Sequence, residues 1–212
     1  MRFVLPVLLL VLTGCTTAFP GTTPAPPPPG VVVHFRPVLA VSTPVTPTRV
    51  GGVVPRKAEP DTPAVAEARR VRQDPALADA ANHQPLVSSF SCPARDPLAG
   101  RDDPTSPLLT CDRDGSVYVL GPAELTREHV ERAEAADDPQ GAAVDVRFTI
   151  PGGVRWADFT GRHVGRRVAV VVNTSVVAAP TVVEAVGGGS VRIAGGFTAA
   201  EAEELAARIT GG

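Results

Sequence analysis

The sequence predicts an α+β fold, in which one mixed or antiparallel sheet packs with helices in a single domain. Strand-like β-branched runs and helix-like apolar repeats intermix along the second half of the chain, with gaps of hairpin length between them. The first part differs, because twelve of the 23 prolines fall between Thr16 and Pro63. This distribution favours a smaller domain preceded by a tail over one domain that fills all 212 residues.

Composition narrows the classes of function. The net charge is −2 and aromatic residues make up 4% of the chain, whereas nucleic-acid binders usually carry a basic surplus and stacking aromatics. We therefore expect no nucleic-acid partner. Lys57 is the only lysine, and it lies in a low-complexity stretch, so Schiff-base chemistry has one poor candidate.

The N-terminus predicts a lipid-anchored protein. Residues 3–12 form an apolar run that is too short to span a bilayer and that suits the core of a signal peptide. The order Leu12-Thr13-Gly14-Cys15 resembles a bacterial lipobox, whose cysteine receives a diacylglycerol and becomes the first residue after cleavage. We predict that residues 1–15 are this signal and that Cys15 anchors the chain to the extracytoplasmic side of the cell membrane. An ordinary secretory signal, with Cys15 in the discarded piece, is the alternative.

Two low-complexity segments flank the first predicted strand. Residues 16–30 (TTAFPGTTPAPPPPG) predict an extended proline-rich tether. Residues 31–41 are rich in valine and predict a strand that opens a domain spanning 31–212. Residues 42–63 return to proline, threonine and glycine and predict a disordered insertion. A short helix over 64–72 follows.

Cysteine usage predicts a disulfide. Once Cys15 is lipidated, Cys92 and Cys111 remain as an even pair in an oxidising compartment. Closing a loop of about 20 residues would stabilise the fold by about 3 kcal/mol. Two free thiols or a metal site are the alternatives. A metal site lacks ligands at close spacing, because the nearest histidines are His83 and His129 and no C-x₂-C motif is present.

The second half of the chain predicts alternating elements. Residues 92–111 form a loop, 116–120 a strand, 126–135 a short helix and 143–150 a half-buried strand with period two. A helix over 154–164 precedes strands over 167–173 and 175–178, a short helix or turn over 181–186, and a strand over 190–194.

The last helix has the clearest signal. Thr198 and Glu201 form the pattern of a capping box. Gly211 supplies the stop. One apolar stripe at helical spacing contains Ala202, Leu205, Ala206 and Ile209.

Taken in order, these segments resemble the head region of the first periplasmic domain of SecD, an accessory subunit of the bacterial Sec protein-export channel. The cysteine loop is most similar to the actinobacterial branch of that family. The pieces that carry the resemblance are His34–Leu39, the loop Cys92…Asp102-Asp103-Pro104…Pro107-Leu108-Leu109-Thr110-Cys111, Val117–Pro122, Trp156–Thr160, Val176–Pro180 and Val186–Thr198.

The resemblance implies a non-enzymatic envelope protein. It would contact exported polypeptides or the Sec export machinery outside the membrane, through an open apolar groove or an exposed sheet edge. SecD chains continue into proton-coupled transmembrane helices, whereas this sequence ends at Gly212, so we expect a stand-alone head held by a lipid. A repurposed envelope module that binds a ligand or a partner protein, unrelated to export, is the alternative.

One departure from the family concerns a turn. The family tends to have Asp-Gly after the strand over 167–173, where this sequence has Asn173-Thr174. Threonine with a positive φ is strained, so we expect this hairpin to have a different loop.

Candidate site residues are few. No nucleophile, base and orienting group stand out, and we expect no catalytic residue, metal or other cofactor. Asp102-Asp103 lacks the spacing of a calcium loop and predicts a solvated loop. Trp156, Phe159 and Phe197 are candidate partner contacts, although Trp156 and Phe159, three apart on one helix, are also typical of a core. A hydrolase, the third class considered, lacks a residue set.

Overall fold

The computed structural model describes residues 32–42, 61–139 and 141–210, and it confirms the α+β class. The predicted signal peptide with Cys15, the tether, most of the predicted insertion and Gly211 lie outside these residues. In these ranges the elements are β1 (Val33–Val41), α1 (Pro63–Arg72), α2 (His83–Ser89), β2 (Leu108–Asp112), β3 (Val117–Leu120), β4 (Leu125–Thr126), β5 (Val130–Asp138), β6 (Gly141–Phe148), α3 (Ile150–Arg162), β7 (Val168–Val172), β8 (Ser175–Ala178), β9 (Ser190–Phe197) and α4 (Ala199–Thr210).

Six strands form a sheet whose pairings close on themselves. In the described residues the order is β3-β2-β8-β7-β1-β4, and β1 also pairs with β3. The first half of β1 lies beside β7, with Val33 opposite Val172, and its second half lies beside β3, with Val41 opposite Tyr118. Only β2 and β8 run parallel among these pairs. Strands β1, β3, β2, β8 and β7 therefore form a ring, with β4 added beside β1.

The other three strands form a separate antiparallel sheet in the described part of the chain, in the order β5-β6-β9. The sequence predicted one sheet, whereas the structure divides the strands between two. Period-two alternation is the same in both sheets and carries no information about which strands pair.

Within the residues that the structure describes, three apolar clusters hold these layers together. The largest lies between the ring and the three-stranded sheet and includes Phe35, Val170 and Val146. A second cluster uses the opposite faces of the ring strands, with Leu120 and Val171. Because neighbouring strand residues point to opposite faces, the nearly continuous valine run of β7 supplies both clusters. A third cluster packs beneath α2.

Helices α3 and α4 begin at side-chain caps. The hydroxyl of Thr149 accepts from the N–H of Gly152, and Pro151 occupies the first turn, so α3 starts four residues before the predicted helix. In α4 the predicted capping box is confirmed: the N–H of Glu201 donates to Thr198, whose own N–H donates to the Glu201 carboxylate. All four residues of the predicted stripe are buried.

The predicted helix over 126–135 is wrong. A single 3₁₀ turn, Arg127–His129, leads directly into β5, which pairs with β6 over nearly its whole length. Glutamate, alanine and arginine favour helices only weakly, by a few tenths of a kcal/mol each. The ladder with β6 and the burial of Val130 and Ala133 under α4 outweigh that preference.

Two further local predictions differ from the structure. Segment 181–186 forms no helix, because Val182 exchanges backbone hydrogen bonds with Gly165 and Arg166. The hairpin between β7 and β8 keeps a two-residue turn, with φ of 48° at Asn173 and 70° at Thr174. Both central residues thus adopt the left-handed conformation that a type I′ turn requires, so the expected change of loop is wrong.

Candidate functional site

The predicted cysteine pair forms a disulfide that links Cys92, after α2, to Cys111 in β2. The bridge closes a loop that carries Asp96 and Asp102. Each carboxylate pairs with a buried arginine. Asp102 pairs with Arg36 of β1, and Asp96 pairs with Arg72 at the end of α1.

The first cluster surrounds Arg36, which is fully buried in β1. Its Nη2 donates to Oδ2 of Asp102 at 2.8 Å and to the carbonyl of Asp103 at 3.1 Å. Its Nη1 donates to the carbonyls of Ser106 and Gly121 at 2.7 and 2.9 Å. One guanidinium therefore fastens two loops to β1. The prediction that Asp102 lies in a solvated loop is wrong, because its charge is taken up by Arg36 inside the protein.

His34 completes this cluster. Its Nδ1 lies 3.0 Å from the same Oδ2 of Asp102. Burial by itself raises the pKa of Asp102, but the hydrogen bond from His34 and the charges of His34 and Arg36 outweigh it, so the pKa of this carboxyl lies below its usual range. Burial lowers the pKa of Arg36, and the charge of Asp102 opposes that shift. The ionised carboxylate only accepts hydrogen bonds, so Nδ1 of His34 carries the hydrogen.

The second cluster surrounds Arg72, the last residue of α1. Its Nε donates to the carbonyl of Leu109 at 2.8 Å, its Nη2 to the hydroxyl of Thr110 at 3.2 Å, and its Nη1 pairs with Asp96. The other oxygen of Asp96 accepts from the hydroxyl of Thr174, in the β7–β8 turn. This bond holds the buried threonine in its left-handed conformation, whose strain is otherwise unfavourable.

The candidate partner-contact residues lie in the core. Trp156 and Phe197 are 4% and 7% exposed, and Phe159 is fully buried. Trp156 packs against Phe35 and Phe148, with ring centroids 5.4 and 5.3 Å away. None of the three candidates presents a surface to a partner in this structure, because all three side chains belong to the main apolar cluster.

Helix α3 exposes two other apolar side chains instead. Ile150 and Val154, one turn apart, are 89% and 63% exposed. A groove of about 380 Å³ runs beside them, and Arg155 and Asp158 of α3 line it together with the Glu124–Arg162 ion pair. Sequence reasoning missed this surface. A usable signal was Ile150, an apolar residue that directly follows Thr149 and lies four positions before Val154.

The histidines of the described chain make structural contacts. His83 and His163 lie within 3.0 Å of the carbonyls of Leu77 and Phe159, and Nδ1 of His129 accepts from the N–H of Thr126. No group of three histidine, cysteine or acidic side chains in the described residues can hold a metal ion.

Comparison with known proteins identifies the family. A family model described as "SecDF, P1 head subdomain" matches residues 106–212, which is half of the chain. The chain belongs to this family. The P1 head match begins just before β2 and includes the whole three-stranded sheet, α3 and α4.

Curated relatives of this P1 head protein are SecD chains. The protein translocase subunit SecD of Mycobacterium tuberculosis is 37% identical over 150 residues, which cover 66% of this chain and 26% of the relative. The SecD of Streptomyces coelicolor is 35% identical over 103 residues, which cover 45% of this chain and 18% of the relative. The chain thus spans about a quarter or less of the length of these relatives.

Solved SecDF structures are also similar. One, described as a membrane component that enhances protein export, has a TM-score of 0.47 and 23% identity and covers 86% of this chain and 63% of that chain. No helix among the described residues is long and apolar enough to cross a membrane.

Proposed function

We propose that this protein is a lipid-anchored, non-enzymatic P1 head that contacts exported polypeptides or the Sec export machinery outside the membrane. The observation that carries the proposal is membership of the SecDF P1 head family, together with 37% identity to a protein translocase subunit. The lipid is attached at Cys15, and residues 16–30 act as the tether.

The surface of the domain suits a binding role. The shallow groove beside α3 is open to solvent and places the exposed side chain of Val154 next to Arg155 and Asp158, a combination that suits contact with an extended chain. Arg36 fastens the chain at Gly121, three residues before the groove residue Glu124, which limits the entropy that binding would cost.

Site-directed photocrosslinking in living cells tests the proposal. Crosslinkers replace Ile150 and Val154, the exposed apolar residues of α3, and Arg147 on the polar face of β6 serves as the control position. Capture of Sec subunits or nascent secreted chains from the α3 positions, and not from Arg147, supports the proposal. Capture of one unrelated envelope protein contradicts it and favours a repurposed binding module.

The lipid anchor has a separate test. An inhibitor of lipoprotein signal peptidase should leave the precursor uncut, and Cys15→Ser should release the chain from the membrane fraction. Normal processing in the presence of the inhibitor would contradict the role assigned to Cys15, without affecting the role assigned to the head.

A further inference from the structure

Strand β5 has a free edge. In the described part of the chain its strand neighbour is β6, on one side. At one point on the other side, the N–H of Ala133 donates to the hydroxyl of Thr210 at 3.0 Å, and this hydroxyl lies 3.2 Å from the carbonyl oxygen of Ala133. The backbone groups of Ala133 therefore point away from β6, and a side chain of α4 satisfies them.

The pairing of β5 with β6 shows which other residues of β5 point their backbone groups away from β6. Hydrogen-bonded and non-hydrogen-bonded pairs alternate, and the register is regular from Ala133, opposite Val146, to the end of β5. Ala135 and Asp137 consequently direct their N–H and C=O groups outward as well. Both residues are exposed. This edge thus offers two donors and two acceptors in the backbone, with no strand beside them among the described residues.

Acidic side chains line the edge. Glu131, Glu134 and Asp137 are all exposed. Arg132 lies 3.3 Å from Glu134, so the positive charge of Arg132 is paired with an acidic residue of the same strand. A second acidic strand is a poor neighbour, because like charges that face each other across a ladder are destabilising. The excess negative charge favours a cationic strand.

We propose that the outer edge of β5 binds an extended polypeptide segment rich in lysine or arginine as an added strand. Backbone hydrogen bonds to Ala135 and Asp137 supply affinity, and the acidic side chains select basic segments. This inference deepens the proposed function and rests on it, since it names the edge and the class of polypeptide segment.

The first experiment measures binding of a synthetic eight-residue peptide of alternating valine and lysine. Calorimetry gives the affinity, and amide hydrogen exchange reports the site. We expect slower exchange at the N–H groups of Ala135 and Asp137. The same peptide with N-methyl groups on alternate residues, or with glutamate in place of lysine, should not bind, because it lacks the hydrogen bonds or the charge.

Variants locate the edge. Ala135→Pro removes one outward N–H and should weaken binding about fivefold or more. Ala194→Pro is the matched control, because Ala194 is exposed in β9, at the opposite edge of the same sheet. Fluorescence of Trp156 verifies that each variant is folded, and the N-methylated peptide tests the same hydrogen bonds without any change to the protein.

Charge is tested independently. The double variant Glu131→Gln and Asp137→Asn should weaken binding about threefold and reduce its dependence on salt. The control variant, with Glu67→Gln in α1 and Glu184→Gln between β8 and β9, makes the same change in net charge outside β5 and α4 and should bind as the unmodified protein does.

Two outcomes overturn the inference: peptide binding that Ala135→Pro leaves unchanged, or protection from hydrogen exchange elsewhere in the domain and not in β5.

The cell experiments distinguish a failure of this inference from a failure of the proposed function. If crosslinking captures exported chains equally in Ala135→Pro, the function stands and the edge is not the site. If the basic peptide binds the edge but no exported chain or Sec subunit is captured in cells, the edge stands and the export role falls.

Discussion

Replacing Asp102 by asparagine is a direct test of what holds the ring and its loops together. The substitution keeps the shape of the side chain and removes the charge that Arg36 faces at 2.8 Å, with both side chains fully buried. Removing one partner of a buried ion pair costs about 3–5 kcal/mol, because the other charge stays buried without compensation. This is a large part of the 5–15 kcal/mol that typically stabilises a domain.

Urea unfolding followed by tryptophan fluorescence measures the loss. Trp156 is the only tryptophan and lies in the main core, so its emission reports global unfolding. With a slope of about 2 kcal/mol per molar urea, the midpoint should fall by about 1.5–2.5 M. Asp158→Asn, an exposed residue of α3, is the matched control and should change stability by less than about 0.5 kcal/mol.

A loss below about 1 kcal/mol for Asp102→Asn would refute the reasoning, since the charge would then not hold Arg36 in place. The double variant with Arg36→Met should lose less stability than the sum of the losses of the two single variants.

The lowered pKa of Asp102 also predicts that stability depends on pH. The pKa of this carboxyl is higher in the unfolded chain, so the unfolded chain binds its proton more readily. The stabilisation is therefore complete above about pH 4 and is lost as the pH falls through the pKa of the folded state. The Asp102→Asn variant should not show this loss of stability at low pH.

Three further predictions concern single features of the fold. Cys92→Ser with Cys111→Ser should lower the free energy of unfolding by about 3 kcal/mol, because the residues are 19 apart; unchanged stability under reducing and oxidising conditions would contradict it. In α3, Gly152→Ala should destabilise by about 1–3 kcal/mol, because the new Cβ would lie 2.3 Å from the carbonyl oxygen of His129. Gly161→Ala, with 3.7 Å to the nearest atom, should stabilise by about 0.5–1 kcal/mol, and equal effects of the two would be inconsistent with this packing. Burial and the charge of Asp112 raise the pKa of Tyr118, the only tyrosine, to about 12. Absorbance at 295 nm should show no phenolate at about pH 10.5 unless the chain unfolds, and stability should fall as the pH rises from about 10 towards 12.

Local signals in the sequence predicted the elements that depend on local interactions. The capping box at Thr198 and the stripe behind it fixed α4, and the alternation of Val144 and Val146 fixed β6. Strand β5 escaped prediction because its residues favour a helix in isolation, and what makes it a strand is its pairing with β6 and its packing under α4. Helix α2 is short and its start has no side-chain cap, so it left no signal.

The buried clusters were harder to predict, for a different reason. Arg36 is separated by 66 residues from Asp102, and no rule of spacing links a charge in a strand to a distant loop. The available signal was the presence of two basic residues, His34 and Arg36, inside an otherwise apolar run of strand residues. Such a residue at an inward position needs a buried anion, and the acidic pair Asp102-Asp103 between two cysteines was the natural source.

The central place of β1 in the ring has a consequence for how the chain matures. The N–H of Val32 donates to the side chain of Asn173 across 141 residues, and β7 pairs with the first half of β1. A chain that is made from its N-terminus therefore leaves the β7 side of the valine-rich strand β1 without its partner until residue 172 has been made. Contacts of such sequence separation form slowly, so the ring closes late in folding, after the local hairpin of β5 and β6.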